Sequence, residues 1–271
     1  MPRTLPLAAL ALGLTLAWTI PSAQAHNVWL QPSSTVLSKA QWITVDAAVS
    51  NDLFFFNHMP LALDNLTVSA PNGDKVAVDN LSRGKLRSVF DVNLAQPGTY
   101  RLAVVNHGVM GNYKLNGEAK RFRGGIDSYA KDIPAGATEL RLGEQVGRIE
   151  TFVTVGKPSP LKPSGVGLEM VPVAPSHPND LVAGEAASFR FLVDGKPAAG
   201  IEVALVRGQT RYRNQVGEVR LTTDADGKIA FTWPEAGMYW LEAEVKDKRT
   251  TVKDAAERRL TYAATLEVLP Q

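Results

Sequence analysis

Period-two alternation of apolar and polar residues, broken at intervals by Gly, Pro and Asn turns, recurs along most of this chain and points to a β-sandwich architecture. Ile43, Val45, Ala47 and Val49 alternate with Trp42, Thr44, Asp46 and Ala48. Leu66, Val68 and Ala70 lead into Pro71-Asn72-Gly73-Asp74, and Val76 and Val78 continue beyond it, which is a hairpin signature. Phe90, Val92 and Leu94 alternate next, and Tyr100, Leu102 and Val104 follow the Pro97-Gly98 turn. Further along, Phe189, Phe191 and Val193 run to an Asp194-Gly195 turn, and Ile201, Val203 and Leu205 form another strand. Leu221, the Asp226-Gly227 turn, and Ile229, Phe231 and Trp233 read as a hairpin. Tyr239, Leu241 and Ala243 come next, and 265–269 closes the chain.

The expected fold class is therefore all-β, with two immunoglobulin-like β-sandwich domains behind an N-terminal leader. Residues 1–25 carry Arg3, an apolar run over 5–20, a break at Pro21 and the small-x-small triplet Ala23-Gln24-Ala25, the pattern of a cleavable signal peptide. The competing reading is an uncleaved anchor, which the Ala-x-Ala site opposes. No later stretch has the 18 or more apolar residues a spanning helix needs. The expected product starts at His26, is periplasmic, and does not itself span a membrane. An N-terminal domain over 26–156, a Pro-rich linker over 157–165 with three prolines and two glycines between Gly156 and Gly165, and a C-terminal domain over 166–271 complete the expected organisation.

Two stretches resist the strand pattern. Residues 113–139 are polar, basic and Gly-rich, and read as an excursion from the sheet with a short helix near 127–131, before a core strand resumes around 149–155. Residues 246–259 are charged and read as a long loop or short surface helix. An internal echo links the two halves: Pro97-Gly98-Thr99-Tyr100 corresponds to Ala236-Gly237-Met238-Tyr239. A Tyr at such a corner hydrogen-bonds back to the backbone in immunoglobulin-like sandwiches.

Charge and composition narrow the function classes. With 29 Lys and Arg against 27 Asp and Glu there is no broad basic field, so nucleic acid is not an expected partner. The chain has no cysteine, which excludes disulfides, thiolate nucleophiles and Cys-based metal sites. No Gly-x-Ser-x-Gly elbow or phosphate-cradling glycine loop is present, and an enzyme is not expected.

The candidate metal ligands are His26, His58 and His107. After cleavage His26 would be residue one, and its α-amine and imidazole could chelate one ion, with a second imidazole completing a histidine brace. Imidazole suits Cu, Ni and Zn. His58 lies in Asn51-Asp52-Leu53-Phe54-Phe55-Phe56-Asn57-His58-Met59, where three consecutive Phe cannot all face a core from a regular strand. This makes the segment either a binding loop, with Asp52 and Met59 as further donors, or a hydrophobic lid. His107 stands where a strand runs out, and an exposed loop His is its competing reading. His177 reads as structural or exposed, and Arg121 and Arg123 as a solvated loop.

Several segments together resemble a bacterial family of exported proteins of unknown function, often labelled a periplasmic component of cobalt or nickel uptake. They are Ala25-His26-Asn27-Val28-Trp29-Leu30-Gln31-Pro32, Ser88-Val89-Phe90-Asp91 with Pro97-Gly98-Thr99-Tyr100, Gly167-Leu168-Glu169-Met170-Val171-Pro172, His177-Pro178-Asn179-Asp180-Leu181, and Asp194-Gly195-Lys196-Pro197. The resemblance implies binding of cobalt or nickel and adds weight to His26 and, less, His58; with the imidazole donors, the expected ion is Ni, Co or Cu. Three functions follow as expectations. The first is a periplasmic metal-binding or delivery accessory of a membrane transporter. The second is a non-catalytic interaction module docking an outer-membrane receptor or a carbohydrate through residues 54–56. The third, ranked last, is a copper oxidative enzyme.

Overall fold

The computed structural model describes residues 26–271. The expected leader, residues 1–25, lies outside the described residues. The described residues are nearly all β, as the alternation predicts, and their strands form three sheets. A five-stranded sheet runs in the order Asn27–Pro32, Gln41–Ser50, Ser88–Leu94, Asp79–Arg83, with Met59–Pro60 also paired to Gln41–Ser50. A ten-stranded sheet includes Glu202–Arg207, Gly237–Asp247, Ala255–Val268, Thr138–Val155 and Gly98–Leu115 as successive neighbours. A four-stranded sheet joins Leu168–Pro172, Ala186–Val193, Lys196–Pro197 and Lys228–Thr232. Among the described residues no helix is long and apolar enough to cross a membrane.

The large sheet serves both halves of the chain. Thr138–Val155 from the first half and Ala255–Val268 from the second lie side by side in parallel, with Leu142 opposite Ala255 and Thr151 opposite Thr265. Side chains alternate across a strand, so each strand of this sheet can feed two cores. Ile149, Val153 and Val155 enter one core with Trp29, Leu30, Val45, Phe90, Tyr100 and Leu102. Val146 and Phe152 enter a second with Phe189, Phe191, Trp233, Leu241 and Tyr262. This double duty explains why residues 148–155 are all buried, a pattern usual for strands covered on both faces.

Both tyrosines of the internal echo close their corners. The Tyr100 hydroxyl accepts the Gln96 amide N–H at 2.6 Å, and the Tyr239 hydroxyl donates to the Glu235 carbonyl at 2.8 Å, each four residues upstream. The Asn72-Gly73 and Asp194-Gly195 turns join paired strands. Three expectations need correction. Residues 113–125 do not leave the sheet, and only 126–137 form the expected excursion: Gly98–Leu115 runs straight into a hairpin with Glu118–Gly125, and Phe122, Val109 and Leu142 give that extension a small core of its own. The short helix expected there forms over Tyr129–Asp132. Residues 255–259 begin the last long strand, their charges satisfied across the sheet by Arg258 with Asp247 and Asp194 and by Arg259 with Glu244. The Asp226-Gly227 turn forms, but its flanking strands part, Val219–Thr222 to the large sheet and Lys228–Thr232 to the small one.

The Pro-rich segment is strapped to the sheet. Ser159 exchanges two hydrogen bonds with Thr99, Arg101 Nη1 donates to the Lys162 carbonyl at 2.9 Å, and the buried Glu169 carboxylate accepts the Ser164 and Gly165 amides. His177 is buried beside it. Its Nδ1 accepts the Asn179 amide N–H at 3.1 Å, which leaves Nε2–H to donate to the Ser159 carbonyl at 3.2 Å. The imidazole is thus held neutral, and burial pushes its pKa below the ordinary value despite the Ser159 contact. A depressed histidine pKa means the unfolded chain takes up the proton first. His177 therefore contributes stability above pH about 6.5 that declines as pH falls toward its folded value. Denaturation at about pH 7.5 and pH 5.5 should show a smaller loss of stability on acidification in His177→Gln than in the parent.

Candidate functional site

Register brings the first two histidines together. Asn27 pairs with Ser50 on one edge of Gln41–Ser50, which sets His26 opposite Asn51. Met59 pairs with Val49 on the other edge, which sets His58 level with Ser50. The two histidines therefore flank the end of one strand, about 10 Å apart through two strand spacings. Their side chains close that gap: the rings stack with centroids 3.8 Å apart and planes 25° from parallel. His26 is exposed and His58 half-buried.

The loop that carries His58 is held from three sides. Asn57 Oδ1 accepts the Asn51 amide at 2.9 Å, and its Nδ2 donates to Asp52 Oδ2 at 2.7 Å, closing residues 51–57. Phe54 and Phe56 pack on the Trp29 indole at 5.5 and 5.4 Å between ring centres. Trp29 is fully buried and donates Nε1–H to Ser50 Oγ, which donates on to the Asp52 carbonyl. Phe54 sits at φ +64°, a left-handed conformation that costs a bulky residue about 1–3 kcal/mol. Its ring covers Gly208 so closely that a Cβ there would meet it at 2.8 Å. Phe55 points the other way, edge-on to Tyr212 at 5.7 Å with the Arg211 guanidinium over its face at 5.3 Å. Tyr212 is 77% exposed.

Asn51 decides how His26 can act. Its side-chain carbonyl lies 2.7 Å from His26 Nδ1, so the proton sits on Nδ1, and the Nε2 lone pair meets no partner among the described residues. That is the arrangement by which a neighbouring acceptor orients a metal-binding imidazole. It opposes the amine-plus-Nδ1 chelate, which needs Asn51 to turn away. Two imidazoles fit Ni, Co, Cu or Zn, all ions with a preference for nitrogen donors. Asp52 is committed to Asn57, and among the described residues no group of three or more His, Asp and Glu converges. The third donor available is then Met59, exposed beside His58, or the amine that leader removal would free.

His107 has another partner. On Gly98–Leu115 it faces Val146, and its Nε2 lies 2.7 Å from Glu144. Buried Glu144 also accepts the Thr251 amide at 2.6 Å and hydroxyl at 2.9 Å. Burial works to raise the Glu144 pKa, but these hydrogen bonds outweigh it and keep the carboxyl below its usual range. His107 thus clasps the loop before the last strand. Sequence reasoning missed Asn51, Arg211 and Tyr212: the first is visible only from register, the others only once the two halves meet.

Fold and site together define an all-β protein whose sheets enclose two main cores, with a paired-histidine end. The chain belongs to the family described as a domain of unknown function, DUF4198, whose profile matches residues 23–247. No curated protein sequence matches it. Among solved structures it is similar to the D0-D1 domain of intimin, at 12% identity over 89% of this chain and 97% of that one, with a TM-score of 0.24. It is also similar to the Yersinia pseudotuberculosis adhesin InvE, at 12% identity over 90% and 61% with a TM-score of 0.22. A third similarity is to trypsin-activated alpha-2-macroglobulin from Escherichia coli, at 13% identity over 92% and 16% with a TM-score of 0.23.

Proposed function

We propose that this protein is a non-catalytic accessory module, exported to the periplasm, that holds a Ni, Co or Cu ion at its paired-histidine end and presents it to a membrane transporter. One observation carries the reading: the His26 and His58 rings stack at 3.8 Å, from opposite edges of a strand, with the His26 tautomer set by Asn51. His26 Nε2 and one nitrogen of His58 would hold the ion once the two rings part. The test is calorimetric titration of protein beginning at His26 with Cu(II), Ni(II), Co(II) and Zn(II). Saturable binding should weaken at least tenfold in His26→Ala and in His58→Ala and stay unchanged in His107→Ala. No binding by the parent protein, or binding that survives both substitutions, contradicts the reading. One extra residue ahead of His26 separates the modes: a brace loses its affinity, whereas an Nε2 site keeps most of it.

A second reading, that the same end is purely a docking surface for an outer-membrane receptor, draws on exposed Tyr212 with Phe55 and Arg211. It predicts partner capture that depends on Phe55 and Tyr212 and is indifferent to metal chelators.

A further inference from the structure

The outer face of the five-stranded sheet carries an apolar side chain that its own fold does not use. Trp42 is 54% exposed, whereas Trp29, Trp233 and Trp240 are all buried. An indole left in water on a regular strand is an uncommon arrangement, because tryptophan is among the side chains most buried on average. Trp42 borders a hollow of about 460 Å³, whose other walls are Thr44, Asp79, Asn80 and Asp91. Strand pairing builds these walls: Trp42 faces Asn93, Thr44 faces Asp91, and Asp91 faces Asp79 on the edge strand.

The polar wall is fixed in place. Thr44 Oγ1 donates to Asp91 Oδ1 at 2.6 Å, and Asn80 Nδ2 donates to Asp91 Oδ2 at 2.8 Å. These two bonds hold the Asp91 carboxyl below its usual pKa, and each of its oxygens keeps a second lone pair free. Asn80 reaches Asp91 from a left-handed backbone at φ +53°, beside the irregularity between Asp79 and Ser82. One apolar indole wall beside two carboxylates, a hydroxyl and one amide matches a molecule with a C–H face and a rim of hydroxyls that both donate and accept.

We propose that this hollow binds a sugar ring of a neutral polysaccharide, its C–H face stacked on Trp42 and its vicinal hydroxyls hydrogen-bonded to Asp91, Asp79 and Asn80. Nothing in this depends on the metal-binding reading. Trp42 lies at the far end of its strand from Asn51, about 30 Å away by strand rise.

Calorimetric titration with cellohexaose, maltohexaose and chitohexaose tests it. At least one should bind saturably and quench tryptophan fluorescence, since Trp42 is the accessible indole among the described residues. Affinity should fall at least tenfold in Trp42→Ala and in Asp91→Asn, and be unchanged in His26→Ala. Thermal midpoints of the two variants check that they remain folded. Failure of all three sugars, or undiminished binding by Trp42→Ala, overturns the proposal. So does a titration in which CaCl2 or tetramethylammonium binds at this face and the sugars do not, which would assign the carboxylates to a cation.

Discussion

Glu150→Ala is expected to destabilise the protein by about 3–5 kcal/mol, the usual cost of removing one partner from a buried ion cluster. Glu150 is 1% exposed and sits between Arg101 Nε at 3.6 Å and Arg148 Nη1 at 3.7 Å. The buried Tyr262 hydroxyl donates to it at 2.6 Å. Arg101 Nε and Nη2 and Arg148 Nε already lack hydrogen-bond partners, so the carboxylate is the main compensation for two inward-facing guanidinium groups. The same arginines hold the Pro-rich strap, through the Lys162 carbonyl, Ser164 Oγ and the Val166 carbonyl. Loss of Glu150 should therefore loosen the strap as well as lower stability. Urea denaturation measures the loss of stability, and limited proteolysis over 157–166 the loosening of the strap. Glu150→Gln keeps an acceptor for Tyr262 and should cost less. A loss below about 1 kcal/mol for Glu150→Ala would mean that water replaces the carboxylate.

Trp29→Ala should cost a comparable amount, about 3–5 kcal/mol, and should also weaken the paired-histidine end. The indole is fully buried in the first core, and the cavity it leaves is bordered by Phe54 and Phe56, which rest on it. Those two rings anchor the loop that carries His58. With the anchor gone, the His26–His58 stack should lose definition, and metal affinity should drop at least tenfold even though Trp29 is not a ligand. Trp29→Phe retains most of the packing and should keep most of the affinity. Equal metal binding by Trp29→Ala and the parent protein would show that the loop is held by its Asn57 contacts alone.

What the sequence disclosed follows from which interactions are local. The hairpins at Asn72-Gly73 and Asp194-Gly195 and the tyrosine corners at Tyr100 and Tyr239 involve residues close in the chain, and alternation with turn chemistry predicts them. The divergence of strands after Asp226-Gly227 was not legible, because a turn states that the chain reverses and not that the two arms stay paired. Nor was the shared sheet: Thr138–Val155 and Ala255–Val268 are more than 100 residues apart, and no local signal pairs them. The three consecutive Phe did carry a usable constraint, and the structure resolves it as two rings on Trp29 and one on Tyr212. His26 and His58 could be named as donors from residue type. Their meeting depends on two strand registers, and the role of Asn51 depends on one of them.

Electron paramagnetic resonance of Cu(II) added at one equivalent to protein beginning at His26 tests the central claim most directly. The account predicts a single tetragonal Cu(II) signal with superhyperfine splitting from at least two nitrogens, losing one nitrogen in His58→Ala and keeping its form in His107→Ala. A spectrum of free aqueous Cu(II), or one identical in the parent protein and His58→Ala, would contradict it.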